Sequence, residues 1–413
     1  MSTNLDLSQI KKIFFIGIGG IGISALAKMA LSRGIEVSGV NDEETEKTLS
    51  SLVGDGAEVV MLKDYQSLPE ADMYVYSDAW IHRGPEIIDS AKKTGKPTLS
   101  YFEALGKFAE EYKVIAISGT HGKTSTTAMV AEILIDAQMD PTVVVGSFVK
   151  KFGSNFRKGE SSYLVVEADE YNRHFLNFNP FIGVVTNIEA DHLDCYKDLA
   201  DIKKAFEQFL AQSQNVIVDF EKYLEKVPKL AVPGEHNRQN AATALAVADL
   251  LGVDLGSAKR SLSNFAGTWR RLEKIRETSE GVIVYDDYAH HPTEIKASLQ
   301  ALRELYPLGQ KKITVVFQPH LYSRTKALFD DFATSFKGAD RVILLPIYFA
   351  RENPDESISC GKLAEAICAT GQSAIAFTDF ELTENYLKDL EFGPDDIFVT
   401  MGAGEAYKVA EIL

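Results

Sequence analysis

The run Gly119-Thr120-His121-Gly122-Lys123-Thr124-Ser125-Thr126 constrains this chain more than any other stretch. It stands between an apolar segment, Val114 to Ile117, and a helical pattern that continues through Ile135. Strand, tight glycine turn and helix in that order aim backbone N–H groups and a helix N-terminus at one point, where a polyphosphate can sit. Lys123 then reaches the terminal phosphates, and the Thr124 hydroxyl ligates an accompanying magnesium ion. The strict G-x-x-x-x-G-K-[ST] pattern is incomplete, because Ile117 occupies its first position. ATP binding is nevertheless the expectation, carried by the strand before, the helix after and the acidic residues downstream. The bland alternative is an ordinary loop with a solvated lysine.

At 413 residues the chain is too long for one core, and about 100 to 200 residues per domain implies two to four units. A net charge of -16 argues against a broad electrostatic grip on nucleic acid or an anionic membrane, so anionic small substrates need local basic pockets. Cys195, Cys360 and Cys368 are widely spaced and form no C-x-x-C, which excludes a disulfide framework and points to a reducing, cytoplasmic setting. Met1 to Lys12 is polar and lacks a signal-peptide core. Ile13 to Leu31 is interrupted by glycines and Lys28, and reads as strand, turn and helix instead of a membrane span.

Three regions alternate strands and helices, which predicts an α/β chain of three domains: 1-108, 109-266 and 267-413. In the first, Ile13 to Ile16 leads into Gly17-Ile18-Gly19-Gly20-Ile21-Gly22 and a helix through Ser32, followed by a strand from Glu36 to Val40. This is a β-α-β unit with G-x-G-x-x-G at its first turn, the start of a small doubly wound, Rossmann-like domain. A dinucleotide site would want an acid at the end of the second strand, where Asn41 and Asp42 stand. Another nucleotide diphosphate on the same helix N-terminus, or glycines serving strand-helix packing alone, are the other readings.

In the second region, strands at Tyr163 to Val166 and Ile182 to Thr186 each run into carboxylates. One cluster is Glu167-Ala168-Asp169-Glu170-Tyr171 and the other Asn187-Ile188-Glu189-Ala190-Asp191-His192-Leu193-Asp194. Parallel strands carry ligands at their carboxyl ends, where the phosphate loop also lies. With Thr124 these residues make an oxygen-and-imidazole set suited to magnesium or manganese; a zinc hydrolase site competes, but only one histidine is offered. Asn237 and Asn240, at the entry of an alanine-rich helix, either cap it or present amides to a base edge.

The third region starts around Gly267, and Arg270-Arg271-Leu272-Glu273 leads into its first strand. Its strand Val282 to Tyr285 is expected to end before Asp286-Asp287-Tyr288-Ala289-His290-His291, and the strand Ile313 to Phe317 before Gln318-Pro319-His320-Leu321-Tyr322-Ser323-Arg324. Histidines and an arginine at the ends of two strands expected to share a sheet suggest a substrate-positioning site.

These motifs, in this order, resemble the Mur ligase family, the ATP-dependent amide-forming enzymes of peptidoglycan synthesis. The likeness is carried by GIGGIG at 17 to 22, GTHGKTST at 119 to 126, EADEY at 167 to 171, NIEADHLD at 187 to 194, GEHNRQN at 234 to 240, RRLE at 270 to 273, DDYAHHPTE at 286 to 294 and QPHLYSRT at 318 to 325. The resemblance also explains Ile117, since the family's phosphate loop begins at the glycine matching Gly119. It implies a UDP-sugar on an N-terminal Rossmann-like domain, at Gly17, Gly19, Gly20, Ile21 and Gly22. It implies ATP on a central P-loop ATPase-like domain, at Gly119, Thr120, His121, Gly122, Lys123, Thr124 and Ser125, with Asn237 and Asn240 by the adenine. Thr124, Glu167 and His192 would hold Mg2+, or Mn2+, and Arg271 would reach the terminal phosphate from the hinge. On a C-terminal Rossmann-like domain, His290, His320 and Arg324 would orient the amino acid and the acyl group. The implied reaction phosphorylates the carboxylate of UDP-N-acetylmuramate and joins it to L-alanine, with no nucleic-acid or membrane partner.

The chain departs from the family in three places. A Gly-His pair expected near Leu62-Lys63-Asp64 is absent, Leu321 replaces an arginine, and only 24 residues separate Phe209 from Gly234, so the central domain is trimmed. Within the family the alternative is a ligase that recycles a whole peptide onto the same UDP-sugar; Ala289 is shared with it, but the Q-P-H-x-Y-S-R segment favours alanine. Outside it stand a nicotinamide oxidoreductase, which leaves the Gly119 loop unexplained, and a non-catalytic nucleotide-binding regulator.

Overall fold

A computed structural model describes residues 5–42, 46–192, 195–349 and 352–412. Leu193 and Asp194, which close the second carboxylate cluster, lie outside the described residues. The chain divides into two compact units, one of Met1–Asp191, Cys195–Lys229 and Asn240–Ala266, the other of His192–Asp194, Leu230–Gln239 and Gly267–Leu413.

The first unit holds two sheets. In the first sheet β1 (Lys12–Ile16), β2 (Glu36–Asn41), β3 (Glu58–Met61), β4 (Met73–Tyr76) and β5 (Thr98–Ser100) are all parallel, in the order β3-β2-β1-β4-β5. The order reverses between β1 and β4, which opens a crevice at their carboxyl ends. The second sheet contains β6 (Lys113–Ser118), β7 (Thr142–Val149), β8 (Ser154–Arg157), β9 (Tyr163–Glu167), β10 (Ile182–Val185) and β11 (Asn215–Ile217), ordered β11-β10-β6-β9-β7-β8. β6 is flanked by β9 and β10, so the glycine turn that follows β6 sits between the two carboxylate-bearing strand ends. Apolar runs such as Val-Ile-Ala-Ile in β6 suit strands covered on both faces.

The two sheets share one hydrophobic cluster that runs from Ile10 through Phe108 to Phe209. Lys28, buried on the helix Ile21–Ser32, adds a polar tie: its ammonium donates to Ser154 Oγ at 3.0 Å and Asn155 Oδ1 at 3.2 Å. β8, which supplies those acceptors, forms an antiparallel hairpin with β7.

The second unit is built on β12 (Glu273–Glu277), β13 (Ile283–Asp287), β14 (Lys312–Phe317), β15 (Arg341–Leu344), β16 (Ala374–Ala376) and β17 (Asp396–Met401), ordered β12-β13-β17-β14-β15-β16. Only β12 pairs antiparallel. One correction concerns β13, which continues through Asp286 and Asp287 instead of ending at Tyr285. Both aspartates are buried, Asp286 by pairing with Arg270 and Asp287 by accepting from the Ser298 hydroxyl. Satisfying each carboxylate from a neighbouring element lets polar residues remain in a central strand.

Candidate active site

The phosphate loop is held by the residues that follow β10. His121 N–H donates to Asn187 Oδ1 at 2.9 Å, while Thr186 Oγ1 and Asn187 Nδ2 donate back to His121 O at 2.6 and 3.0 Å. Thr120 N–H donates to Asn187 O at 3.1 Å. Asn187, read in the sequence as part of a carboxylate cluster, therefore serves to fasten the loop. Gly122 has φ of 82° at the N-cap of the helix Lys123–Asp136, and a Cβ there would lie 2.3 Å from Asn240 Oδ1. Only glycine allows both the left-handed turn and that approach. Asn240 Oδ1 also accepts from Thr126 Oγ1 at 3.3 Å, so Asn240 packs on the loop, whereas Asn237 lies in the first turn of the helix Glu235–Leu250 and donates to Pro233 O at 2.7 Å. Ser125 is buried in the helix that Lys123 opens.

Lys123 Nζ donates to Gly119 O at 2.7 Å, to Thr120 O at 3.2 Å and to Glu170 at 2.9 Å. Burial works against its charge, but Glu170 and Asp169 outweigh burial and hold the ammonium above its ordinary pKa. A permanent cation thus stands at the centre of the loop. Beside it, Thr124 Oγ1 lies 2.9 Å from Glu167 Oε1, and Gly146 N–H donates to Glu167 Oε2 at 2.7 Å. A hydroxyl and a carboxylate oxygen side by side are the hard donors that suit a magnesium-class cation. His192 has a left-handed backbone, φ 55°, and groups with the second unit.

The glycine run after β1 lines one side of the first sheet's crevice. Gly19 N–H donates to buried Asn41 Oδ1 at 3.0 Å, and Thr48 Oγ1 donates to Gly19 O at 2.7 Å. Asp42 pairs with Arg83 at 2.8 Å. The two residues that a dinucleotide reading would use for a ribose are thus engaged in shaping the loop and its rim. Gly17, φ 84°, lies against the Trp80 indole, where a Cβ would come within 2.3 Å. Gly20 caps the helix that starts at Ile21, and Gly22 in its first turn faces the Tyr101 ring.

In the second unit, His290 and His320 meet edge to face with centroids 6.0 Å apart, and Arg324 Nη1 is 3.4 Å from His320 Nδ1. His290 Nδ1 lies 3.0 Å from Tyr288 O, which can only accept, so the proton belongs on Nδ1. Arg271 stacks over the Tyr288 ring at 5.0 Å from its centroid. The structure therefore gathers His290, His320 and Arg324 beyond the ends of β13 and β14, the two strands that flank β17. It adds Tyr348, which stacks on His320 at 5.5 Å and which no motif in the sequence marked. Leu321 is buried with φ of 70°, its N–H donating to Tyr348 O at 2.9 Å, so the expected arginine is replaced by a packed aliphatic side chain.

Family models match in succession: the catalytic domain of the Mur ligase family over residues 12–113, the Mur ligase middle domain over 117–226 and the Mur ligase glutamate ligase domain over 270–404. The chain belongs to the Mur ligase family. Among Mur ligases it is 39% identical to the UDP-N-acetylmuramate--L-alanine ligase of Lachnospira eligens, covering 99% of each chain, and 39% identical to that of Caldanaerobacter subterraneus, covering 98% of each. Its fold is similar to the UDP-N-acetylmuramate-alanine ligase of Thermotoga maritima, with a TM-score of 0.80 at 28% identity over 97% of both chains. A murein peptide ligase from Psychrobacter arcticus shares the fold at a TM-score of 0.68 and 22% identity, with 97% of both chains covered. The Lachnospira match extends over 462 residues against 413 in this Mur ligase, so the relative carries residues without a counterpart here. Between the helices Leu199–Ala211 and Glu235–Leu250 the described chain holds only β11 and the short helix Glu221–Leu224, in the stretch where trimming is expected.

Proposed function

We propose that this Mur ligase joins L-alanine to the carboxylate of UDP-N-acetylmuramate with conversion of ATP to ADP and phosphate, a step of peptidoglycan precursor synthesis in the cytoplasm. The observation that carries the reading is Lys123, a permanent cation in the loop after β6, beside the Thr124 and Glu167 oxygens. Full-length kinship to ligases of that name supports it.

A carboxylate does not react with an amine until one oxygen becomes a leaving group. The carboxylate oxygen attacks the terminal phosphorus of ATP, the bond to the bridging oxygen breaks, and an acyl phosphate and ADP result. Lys123 meets the charge that develops on the transferred group. Thr124 and Glu167, with His192 as a third candidate, would hold a magnesium or manganese ion, which supplies further charge neutralisation at the phosphates. The amine of L-alanine then attacks the acyl carbon, phosphate leaves with the C–O electrons, and the amine proton is released. Arg324 binds the amino acid's carboxylate through paired hydrogen bonds, and His290 and His320 orient the reacting groups. Asn240 borders the adenine, Arg271 approaches the terminal phosphate, and the Gly17 to Gly22 loop takes the UDP-sugar. The domains carrying these three roles are assigned to 1–108, 109–266 and 267–413.

The test is phosphate release with ATP and UDP-N-acetylmuramate, offering L-alanine, glycine, L-serine or the L-Ala-D-Glu-diamino acid tripeptide. L-alanine leads, with glycine and L-serine measurably slower, because a small apolar pocket discriminates one methyl by about 1 to 3 kcal/mol. Faster ligation of the tripeptide would replace this reading with peptide recycling.

A further inference from the structure

The loop after β4 forms the wall of the crevice opposite the glycine run. Ser77 N–H donates to Ile16 O at 3.0 Å, and Trp80, three residues on, packs against Gly17. Between them stands Asp78. Its Oδ2 lies 2.9 Å from His174 Nε2, with the two side chains 26% and 9% exposed. His174 belongs not to the first sheet but to the segment after β9, five residues beyond Asp169. A hydrogen-bond contact therefore runs from the crevice of the first sheet to the carboxylate loop of the second, inside one compact unit.

The histidine is placed there by an unfavourable backbone. Asn172 and Arg173 both have left-handed φ, 48° and 57°, a conformation that costs free energy at each non-glycine residue and persists only where surroundings enforce it. Arg173 is held by Asp201 at 2.6 Å. The result is that His174 stacks on Phe102, with centroids 3.8 Å apart and planes at 15°. Phe102 neighbours Tyr101, whose ring would lie 3.0 Å from a Cβ at Gly22. With Nε2 donating to Asp78, His174 Nδ1 is buried and finds no hydrogen-bond partner among the described residues. That leaves the contact with Asp78 as the polar bond that orients the ring.

We infer that His174 is a positioning residue for the UDP-sugar: by holding Asp78 in the loop after β4 and stacking on Phe102, whose neighbour Tyr101 faces Gly22 of the glycine run, it sets the sugar site against the carboxylate loop. The inference rests on the proposed use of that crevice for UDP-N-acetylmuramate. It predicts that loss of the His174 donor weakens sugar use while leaving ATP use intact.

The test compares H174F, which keeps the stack on Phe102 but loses the donor, with H174Q, which keeps a donor, and D78N, which removes the charge from a partly exposed acceptor. Each full-length variant is assayed for KM toward UDP-N-acetylmuramate and toward ATP, for UDP-N-acetylmuramate binding by calorimetry, and for melting temperature. H174F should raise the KM for the UDP-sugar about 10-fold, the scale of one hydrogen bond to a charged group, with the KM for ATP within about twofold. H174Q should recover most of that loss, and D78N should show the same selective direction; if H174F fails to fold, D78N and H174Q decide alone. Unmoved sugar KM values in D78N, equal shifts in both KM values, or H174Q as impaired as H174F would overturn the inference. A wild-type protein that neither binds nor uses UDP-N-acetylmuramate would instead overturn the functional reading beneath it.

Discussion

Lys123 Nζ lies 2.8 Å from Glu170 Oε2, and the carboxylate is almost wholly buried, with 3% of its side chain exposed. The lysine that opens the helix Lys123–Asp136 is thus oriented by a residue in the segment that follows β9, not by the glycine loop alone.

Replacing Lys123 with Ala removes the cation that meets the transferred phosphoryl group. Phosphate release should fall by about 100-fold or more, the effect of losing one preorganised electrostatic stabiliser. Glu170→Gln keeps the lysine but loosens its aim, and should cost less than Lys123→Ala. A Lys123→Ala protein with near-normal phosphate release would sink the assignment.

Glu167 is predicted to act through a divalent cation and not through the fold. Glu167→Gln should raise the magnesium concentration needed for half-maximal rate, and should reduce the rise in melting temperature produced by magnesium with ATP. Manganese should substitute for magnesium in the parent if His192 contributes an imidazole. If Glu167→Gln lowers the melting temperature without metal by as much as it lowers activity, the carboxylate is structural.

Arg270 and Asp286 belong to the interior of the second unit. Their ion pair spans 2.7 Å with side chains 5% and 4% exposed, and Arg270 also donates to Gly402 O at 2.7 Å. Burial raises the Asp286 pKa, partly offset by Arg270. Arg270→Met would leave a buried carboxylate unpaired, at a cost of about 3 to 5 kcal/mol, and Arg271→Met should not. Urea unfolding of the two variants checks this: equal stabilities would show that the neighbouring arginines are not divided between core and site.

His236 supplies a signature in pH. Burial pushes its pKa down to about 4, and Arg271 adds to the depression while Glu294 opposes it. The folded value lies below the unfolded one, so the histidine has no effect on stability above about pH 6.5. As pH falls from there toward 4, the unfolded chain takes up a proton that the folded chain refuses, and up to about 3 kcal/mol is lost. His236→Gln should therefore flatten the stability profile between those pH values and leave it unchanged at pH 8. An identical acid slope in the variant would mean that His236 is solvated.

Much of the architecture was legible in the chain because it depends on local pattern. Apolar runs marked β1, β6, β9, β10 and β14, with glycine turns after β1 and β6 and carboxylate clusters after β9 and β10, and the order of strand, turn and helix was enough to place the phosphate loop. What the pattern missed were short or polar strands: β8, β11, β12 and β16 carry too few apolar residues to stand out, and β13 hides two aspartates whose partners are remote in sequence.

Which groups are chemically able to take part is readable from the chain alone: Lys123, Thr124, Glu167, His290, His320 and Arg324 are recognisable from residue type and position near a strand end. Only the tertiary structure decided how they are held. Asn187 clamps His121 across 66 residues, Glu170 aims Lys123 across 47, and His174 reaches Asp78 in the loop after β4 of the first sheet. Tyr348 comes to His320 because β14 and β15 are neighbours in the sheet. The reason is physical: residue type and local spacing set intrinsic chemistry and backbone preference. A hydrogen bond or ion pair depends on a separation of about 3 Å, and strand order sets that distance between residues far apart in the chain.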